Sequence, residues 1–163
     1  GYNTVSLGAP LRFYAEYNYA TGDRDPADQN DQSFLNLFPT NHKFYGALDA
    51  FAWKNLREVA LSATATLASK TKLRLEHHFF ALANTNDTWF RANGVTAVRP
   101  LTPAARAASR TAGQETDLVL THPLNPHVSL ELGGAYFVAG RYLEQTGGAS
   151  NARFVYLQSV FSW

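Results

Sequence analysis

Arg153-Phe-Val-Tyr-Leu-Gln-Ser-Val-Phe-Ser-Trp163 is the stretch from which the fold is read. Counting back in twos from Trp163 gives Phe161, Ser159, Leu157 and Val155, an almost wholly apolar side that ends on an indole. A period of two marks a strand with unlike faces, because successive side chains point to opposite sides of a sheet.

The same alternation recurs upstream. Leu11, Phe13, Ala15, Tyr17 and Tyr19 oppose Arg12, Tyr14, Glu16 and Asn18. Val59, Leu61, Ala63, Ala65 and Leu67 oppose Ala60, Ser62, Thr64 and Thr66, and Leu73, Leu75, His77 and Phe79 oppose Lys72, Arg74, Glu76, His78 and Phe80. Two more runs follow, Leu118 to Leu124 and Val128 to Val138, and residues 2–7 read as the end of another strand. Between the strands, tight reversals at 8–10, 69–71 and 124–126 alternate with long polar excursions at about 21–56 and 83–114 and a shorter one at 144–152. The aromatic part of the first excursion, 47–55, reads as a short helix or a folded-in loop.

Short turns on one end and long loops on the other predict an all-β, antiparallel transmembrane β-barrel, with the long loops outside the membrane. Loops of that length are uncommon in a compact soluble domain. Seven strands are visible, whereas single-chain bacterial barrels close with an even number. An open edge in hydrocarbon leaves unpaired peptide groups, so the expectation is the C-terminal portion of a larger barrel, with its N-terminal strands as partners. A soluble ligand-binding barrel and an outer-membrane hydrolase are the alternatives from other classes, although no nucleophile motif organises the Ser, His and Asp present.

Composition agrees. The 163 residues suffice for one domain, and the absence of Cys removes a disulfide framework, thiolate metal sites and a Cys nucleophile. With no Met and no basic start leading into an apolar stretch, a processed chain or a piece of a longer one is expected. No run approaches the roughly 18 apolar residues of a spanning helix, whereas barrel strands need only about 9–11 residues of alternation. A net charge of +1 carries no nucleic-acid footprint.

Three stretches carry a more specific signal: Ala20-Thr-Gly-Asp-Arg-Asp-Pro-Ala-Asp28, Phe34-Leu-Asn-Leu-Phe-Pro-Thr-Asn-His-Lys-Phe-Tyr-Gly46 and Trp53-Lys-Asn-Leu-Arg57. Together with Leu73 to Leu82 and the closing strand they resemble the alginate export family of outer-membrane porins. The likeness spans nearly the whole chain as the C-terminal part of that family's barrel. It implies about eighteen strands in the bacterial outer membrane. It further implies a lumen passing an acidic polysaccharide, alginate, outward by diffusion, without a cofactor. By the same resemblance, Phe161 and Trp163 belong to the signal for barrel insertion.

If the apolar side meets lipid, the lumen receives Arg12, Glu16, Lys72, Arg74, Glu76, His78, Asp117, Glu131 and Arg141. The opposite phase would set charges in lipid at about 2–4 kcal/mol each at mid-depth. Arg12, Lys72 and Arg74 are the candidate cations for a polyuronate, as anion pores use Arg and Lys. Pairing with neighbouring carboxylates that stiffens the wall is the competing role. Asp23, Asp25, Asp28 and Asp31 lie within nine residues and suit either a calcium ion or a solvated acidic loop. That loop, counting Arg24, carries −3, while Arg91, Arg99, Arg106 and Arg110 against Asp87 give residues 84–114 a charge of +3, so the two excursions should attract. His77 and His78 are adjacent on a strand and therefore cannot share one ion. His77 is expected at the membrane interface. Gly133-Gly134 reads as a strand kink.

Overall fold

The structure, a computed structural model, describes residues 1–6, 8–38 and 44–163. Leu7 at the end of the first expected strand, and residues 39–43 of the Leu-Phe-Pro-Thr-Asn-His-Lys-Phe-Tyr segment, lie outside the described residues. Seven strands form one antiparallel sheet in chain order. They are β1 (Tyr2–Ser6), β2 (Ala9–Ala20), β3 (Leu56–Thr66), β4 (Lys72–Leu82), β5 (Thr111–Asn125), β6 (Val128–Ala139) and β7 (Ala152–Phe161). Each strand pairs with its sequence neighbours, so the sheet is an open meander whose outermost strands are β1 and β7.

Register turns the period-two pattern into two faces. Leu11, Ala65, Leu73, Leu120, Leu132 and Leu157 stand side by side across six strands. Two residues further along come Phe13, Ala63, Leu75, Leu118, Gly134 and Val155. In a water-soluble sheet such rows would be the interior. Here Leu61, Leu75, Leu118 and Leu132 are 47, 47, 50 and 49% exposed, and among the described residues nothing packs over them. The other face carries the polar rows, and that is the face the loops cover. The molecule is inverted relative to a soluble domain.

Its apolar core lies at the long-loop end. Phe51, Phe80, Trp89, Phe137 and Tyr142 are buried together with Leu56, Leu82 and Leu143. The Phe51 ring stacks on Phe80 at 4.1 Å and on Trp89 at 4.4 Å between centroids. Aromatic pairs at these separations contribute about 0.5–1.5 kcal/mol beyond their buried area. Phe80 and Phe137 lie on the polar face of their strands, where alternation alone leaves an isolated aromatic unexplained. The loops supply the reason.

Several boundaries differ from the sequence reading. β3 starts at Leu56 rather than Val59, and β5 starts at Thr111, inside the expected second excursion. In that part of β5 the exposed side carries Gln114 and Thr116, so no apolar alternation marks it. Both bond to His77, whose ring nitrogens lie 2.8 Å from the Thr116 hydroxyl and 3.2 Å from the Gln114 Oε1. Leu67 sits at the entry to a short 3₁₀ turn, Ala68–Lys70, rather than on a strand. Segment 47–55 is a folded-in loop without a helix.

Arg141, expected among the charges of the strand wall, requires correction. β6 ends at Ala139, and Arg141 opens the helix α2 (Arg141–Thr146) with its side chain exposed. Extended Gly140 caps that helix and takes Leu143 N–H and Glu144 N–H on its carbonyl. Tyr142 and Leu143 turn inward to the aromatic core, which fixes Arg141 on the outer side. A second short helix, α1 (Pro103–Ala107), lies in the loop 83–110 and is capped by the Thr102 hydroxyl accepting from Ala105 N–H.

Candidate functional site

The covered face has two parts. Near the short turns, Arg12, Thr64, Arg74, Val119, Gly133 and Tyr156 form one row in register, and Thr66, Lys72, Thr121, Glu131 and Gln158 form the next. Arg12 and Lys72 are exposed and share with Asn3, Thr4, Thr64 and Thr66 an open groove of about 510 Å³. Among the described residues neither cation has an ion pair. Arg74 does: its guanidinium lies 3.0 Å from Glu76 Oε2. Glu76 Oε1 also accepts from the Tyr14 hydroxyl at 2.5 Å. The ion pair of Arg74 lies within β4 itself rather than between neighbouring strands. Glu131 accepts from Tyr156 at 2.8 Å and from Thr121 at 3.2 Å. The Tyr156 ring lies over Gly133, where any Cβ would collide with it. That close approach, rather than a kink, explains the glycine.

Towards the long loops the same face becomes acidic and dry. Glu58, Glu115 and Asp117 are 1, 0 and 4% exposed, and Glu76 and His78 are buried beside them. Burying several carboxylates is costly unless each finds donors. His78 Nδ1 is 2.6 Å from Glu58 Oε1, and its Nε2 faces Asp117 Oδ2 at 3.7 Å. Asn18 Nδ2 donates to Glu58 Oε2 at 2.8 Å and reaches the exposed Glu16 at the same distance. The remaining donors are backbone. Ala47 N–H donates to Asp117 Oδ2 at 3.0 Å and Leu48 N–H to Glu115 Oε1 at 2.9 Å. Gly46, at φ +82°, allows this turn, and a Cβ there would stand 2.6 Å from the Glu115 carboxyl carbon. Tyr45 enters the same layer. Burial, with the charges of Glu58 and Glu16 nearby, pushes its hydroxyl above the ordinary phenol range, so it stays protonated.

The sequence reading named Glu76, His78 and Asp117 but missed Glu58 and Glu115. Both lie just before the points where it began the strands, outside the excursions at 21–56 and 83–114. Extending each period-two phase outward by two to three residues would have found them.

Asn55 joins the two long excursions. Its Nδ2 donates to the carbonyls of Asn84 at 3.0 Å and Thr88 at 2.9 Å, while its Oδ1 accepts from Asn84 N–H at 2.9 Å. Its backbone sits at φ +49°, a region asparagine tolerates better than most residues. The excursions meet as their opposite charges suggested, yet through hydrogen bonds. Asp87 Oδ2 accepts from Asp23 N–H and the Ser33 hydroxyl, and Asn86 Nδ2 donates to the Arg24 carbonyl.

The four aspartates of the first loop do not converge. Asp23, Asp25, Asp28 and Asp31 each accept the backbone N–H two residues ahead, closing four successive turns. Hydrogen bonds from Ser33 hold the Asp31 carboxyl below the ordinary carboxylate range. Among the described residues no three His, Cys, Asp or Glu side chains are grouped to hold a metal ion. Phe161 ends β7, and Trp163 lies beyond it, fully exposed.

The family model described as alginate export matches residues 1–156 of the chain. No curated protein and no solved structure matches it.

Proposed function

We propose, from the premise that the chain belongs to the alginate export family, that its seven strands form part of the wall of a channel in the bacterial outer membrane. The carrying observation is the inversion of the sheet: an exposed apolar face opposite a polar face covered by loops. In hydrocarbon the leucine rows need no cover, and the polar rows face water inside a barrel. Each outermost strand needs a neighbour there, since unpaired peptide groups cost several kcal/mol in lipid. We therefore read the sheet as part of a closed barrel of about eighteen strands, within the range such barrels span.

The cargo is an anionic polysaccharide such as alginate, moving by diffusion without a cofactor. Arg12 and Lys72, exposed and unpaired among the described residues, are the fixed cations its carboxylates meet. Arg74 contributes a partly neutralised charge. A second reading, a porin of different selectivity, draws support from Glu16 and Glu131 on the same face. Planar-bilayer recording of the protein separates the two. An alginate channel has a reversal potential favouring anions under a salt gradient and is blocked by alginate. A differently selective porin conducts without either property. Absence of any channel activity from the folded protein in lipid removes both.

A further inference from the structure

We propose that segment 44–55 is the constriction of this channel and a screen that hides the Glu115 and Asp117 carboxylates from an anionic cargo. The inference rests on reading the covered face as the lumen. Three observations carry it. The segment lies against the sheet rather than over the loop tips, because its Ala47 and Leu48 amides bond to side chains in the middle of β5. It is anchored on its C-terminal side, by Phe51 in the aromatic stack and by Asn55 on the neighbouring loop. And the carboxylates it covers are not fully satisfied. Apart from each other, Glu115 Oε2 and Asp117 Oδ1 are buried without a hydrogen-bond partner among the described residues, and Asp117 lines a cavity of about 250 Å³ beside Arg74 and Tyr156.

The charge pattern gives this arrangement a purpose. Without the segment, an anion moving along the face would pass from Arg12 and Lys72 directly to Glu58, Glu76, Glu115 and Asp117, balanced only by Arg74 and His78. With it in place, the anion meets the outer side of the segment. Two backbone amides and the positive φ of Gly46 thus convert an acidic stretch of wall into a neutral, narrower one. Porin interiors are commonly narrowed by inserted loops, so the physical principle is general, whereas the amide-to-carboxylate clasp belongs to this chain.

Planar-bilayer recordings of the whole protein test the proposal through two variants that open the clasp differently. Gly46→Val drives the turn off Glu115 and leaves both charges. It should raise single-channel conductance about twofold or more, admit larger neutral polymers and shift the reversal potential towards cations. Glu115→Gln combined with Asp117→Asn loosens the same turn and removes the charges. It should widen the pore without the cation shift. Unaltered conductance, polymer cut-off and selectivity in both variants, each shown folded by heat-modifiable migration, overturn the inference alone. Loss of conductance in the unmodified protein overturns the channel reading, and this inference with it. Should the variants misfold, Ala50→Cys in the otherwise cysteine-free chain offers a second test. A bulky thiol reagent there should cut the current, and verified labelling with full current overturns the proposal.

Discussion

The long-loop half and the short-turn half of one sheet face are built on opposite principles. At the loop end, Phe51, Phe80, Trp89 and Phe137 pack into a buried core, and the carboxylates of Glu58, Glu115 and Asp117 are buried beside it. At the turn end, Arg12 and Lys72 stand among threonine hydroxyls, exposed. The strands are continuous through both halves, so the difference comes from what lies over them. A strand face in a channel can be dry scaffold over part of its length and wet path over the rest, and the position of an inserted loop decides where one gives way to the other.

The largest expected effect breaks the dry half. Phe51→Ala removes the ring stacked between Phe80 and Trp89 and should destabilise the loop assembly by about 3–5 kcal/mol, as buried Phe→Ala changes do. Limited proteolysis should then cut within 44–55 while the strands stay heat-modifiable. Collapse of the strands as well would show that the two halves are one cooperative unit. Next comes a pair of neighbours on β5. Leu120→Arg places a charge on the apolar face and should cost about 2–4 kcal/mol in urea unfolding from lipid vesicles. Thr121→Arg, on the polar face beside Glu131, should stay within about 0.5 kcal/mol. Equal costs would dissolve the distinction between the faces.

Asn55→Ala leaves the carbonyls of Asn84 and Thr88 without their donor and should cost about 1–3 kcal/mol. Faster amide exchange confined to residues 84–88 and 21–24 is the expected signature. The smallest effect belongs to the wet half. Lys72→Glu should shift the reversal potential modestly towards cations, and the shift should fade with added salt, because charges there are screened over about 10 Å at 0.1 M.

The sequence made the phase of the strands legible because each leucine on the exposed face must avoid the polar side, and that constraint repeats every second residue. Arg12, Lys72, Arg74, Glu76, His78, Asp117 and Glu131 consequently fall on the face expected for them. What could not be read is what folds onto that face. Nothing local in Phe80 or Phe137 announces a partner in Phe51 or Trp89, since those contacts join distant loops. Glu58 and Glu115 escaped for a related reason. Glu115 is flanked on the exposed side by Gln114 and Thr116, and Glu58 by Arg57, so the apolar signal that reveals a strand fades where the strand leaves the apolar belt. Arg141 was misplaced because Gly140 ends β6 without any break in the apolar character of Tyr142 and Leu143.

Whether the two faces meet lipid and water can be asked of two adjacent residues. Ala63 pairs with Phe13 and Leu75 on the apolar face, and Thr64 pairs with Arg12 and Arg74 on the polar one. Single cysteines at each position, in a chain with no other cysteine, should answer oppositely in proteoliposomes. A charged, water-soluble thiol reagent should modify the cysteine at 64 and spare that at 63, and a lipid-soluble maleimide should modify the one at 63. Labelling of both by the charged reagent, or of 63 alone, would contradict the channel wall described here.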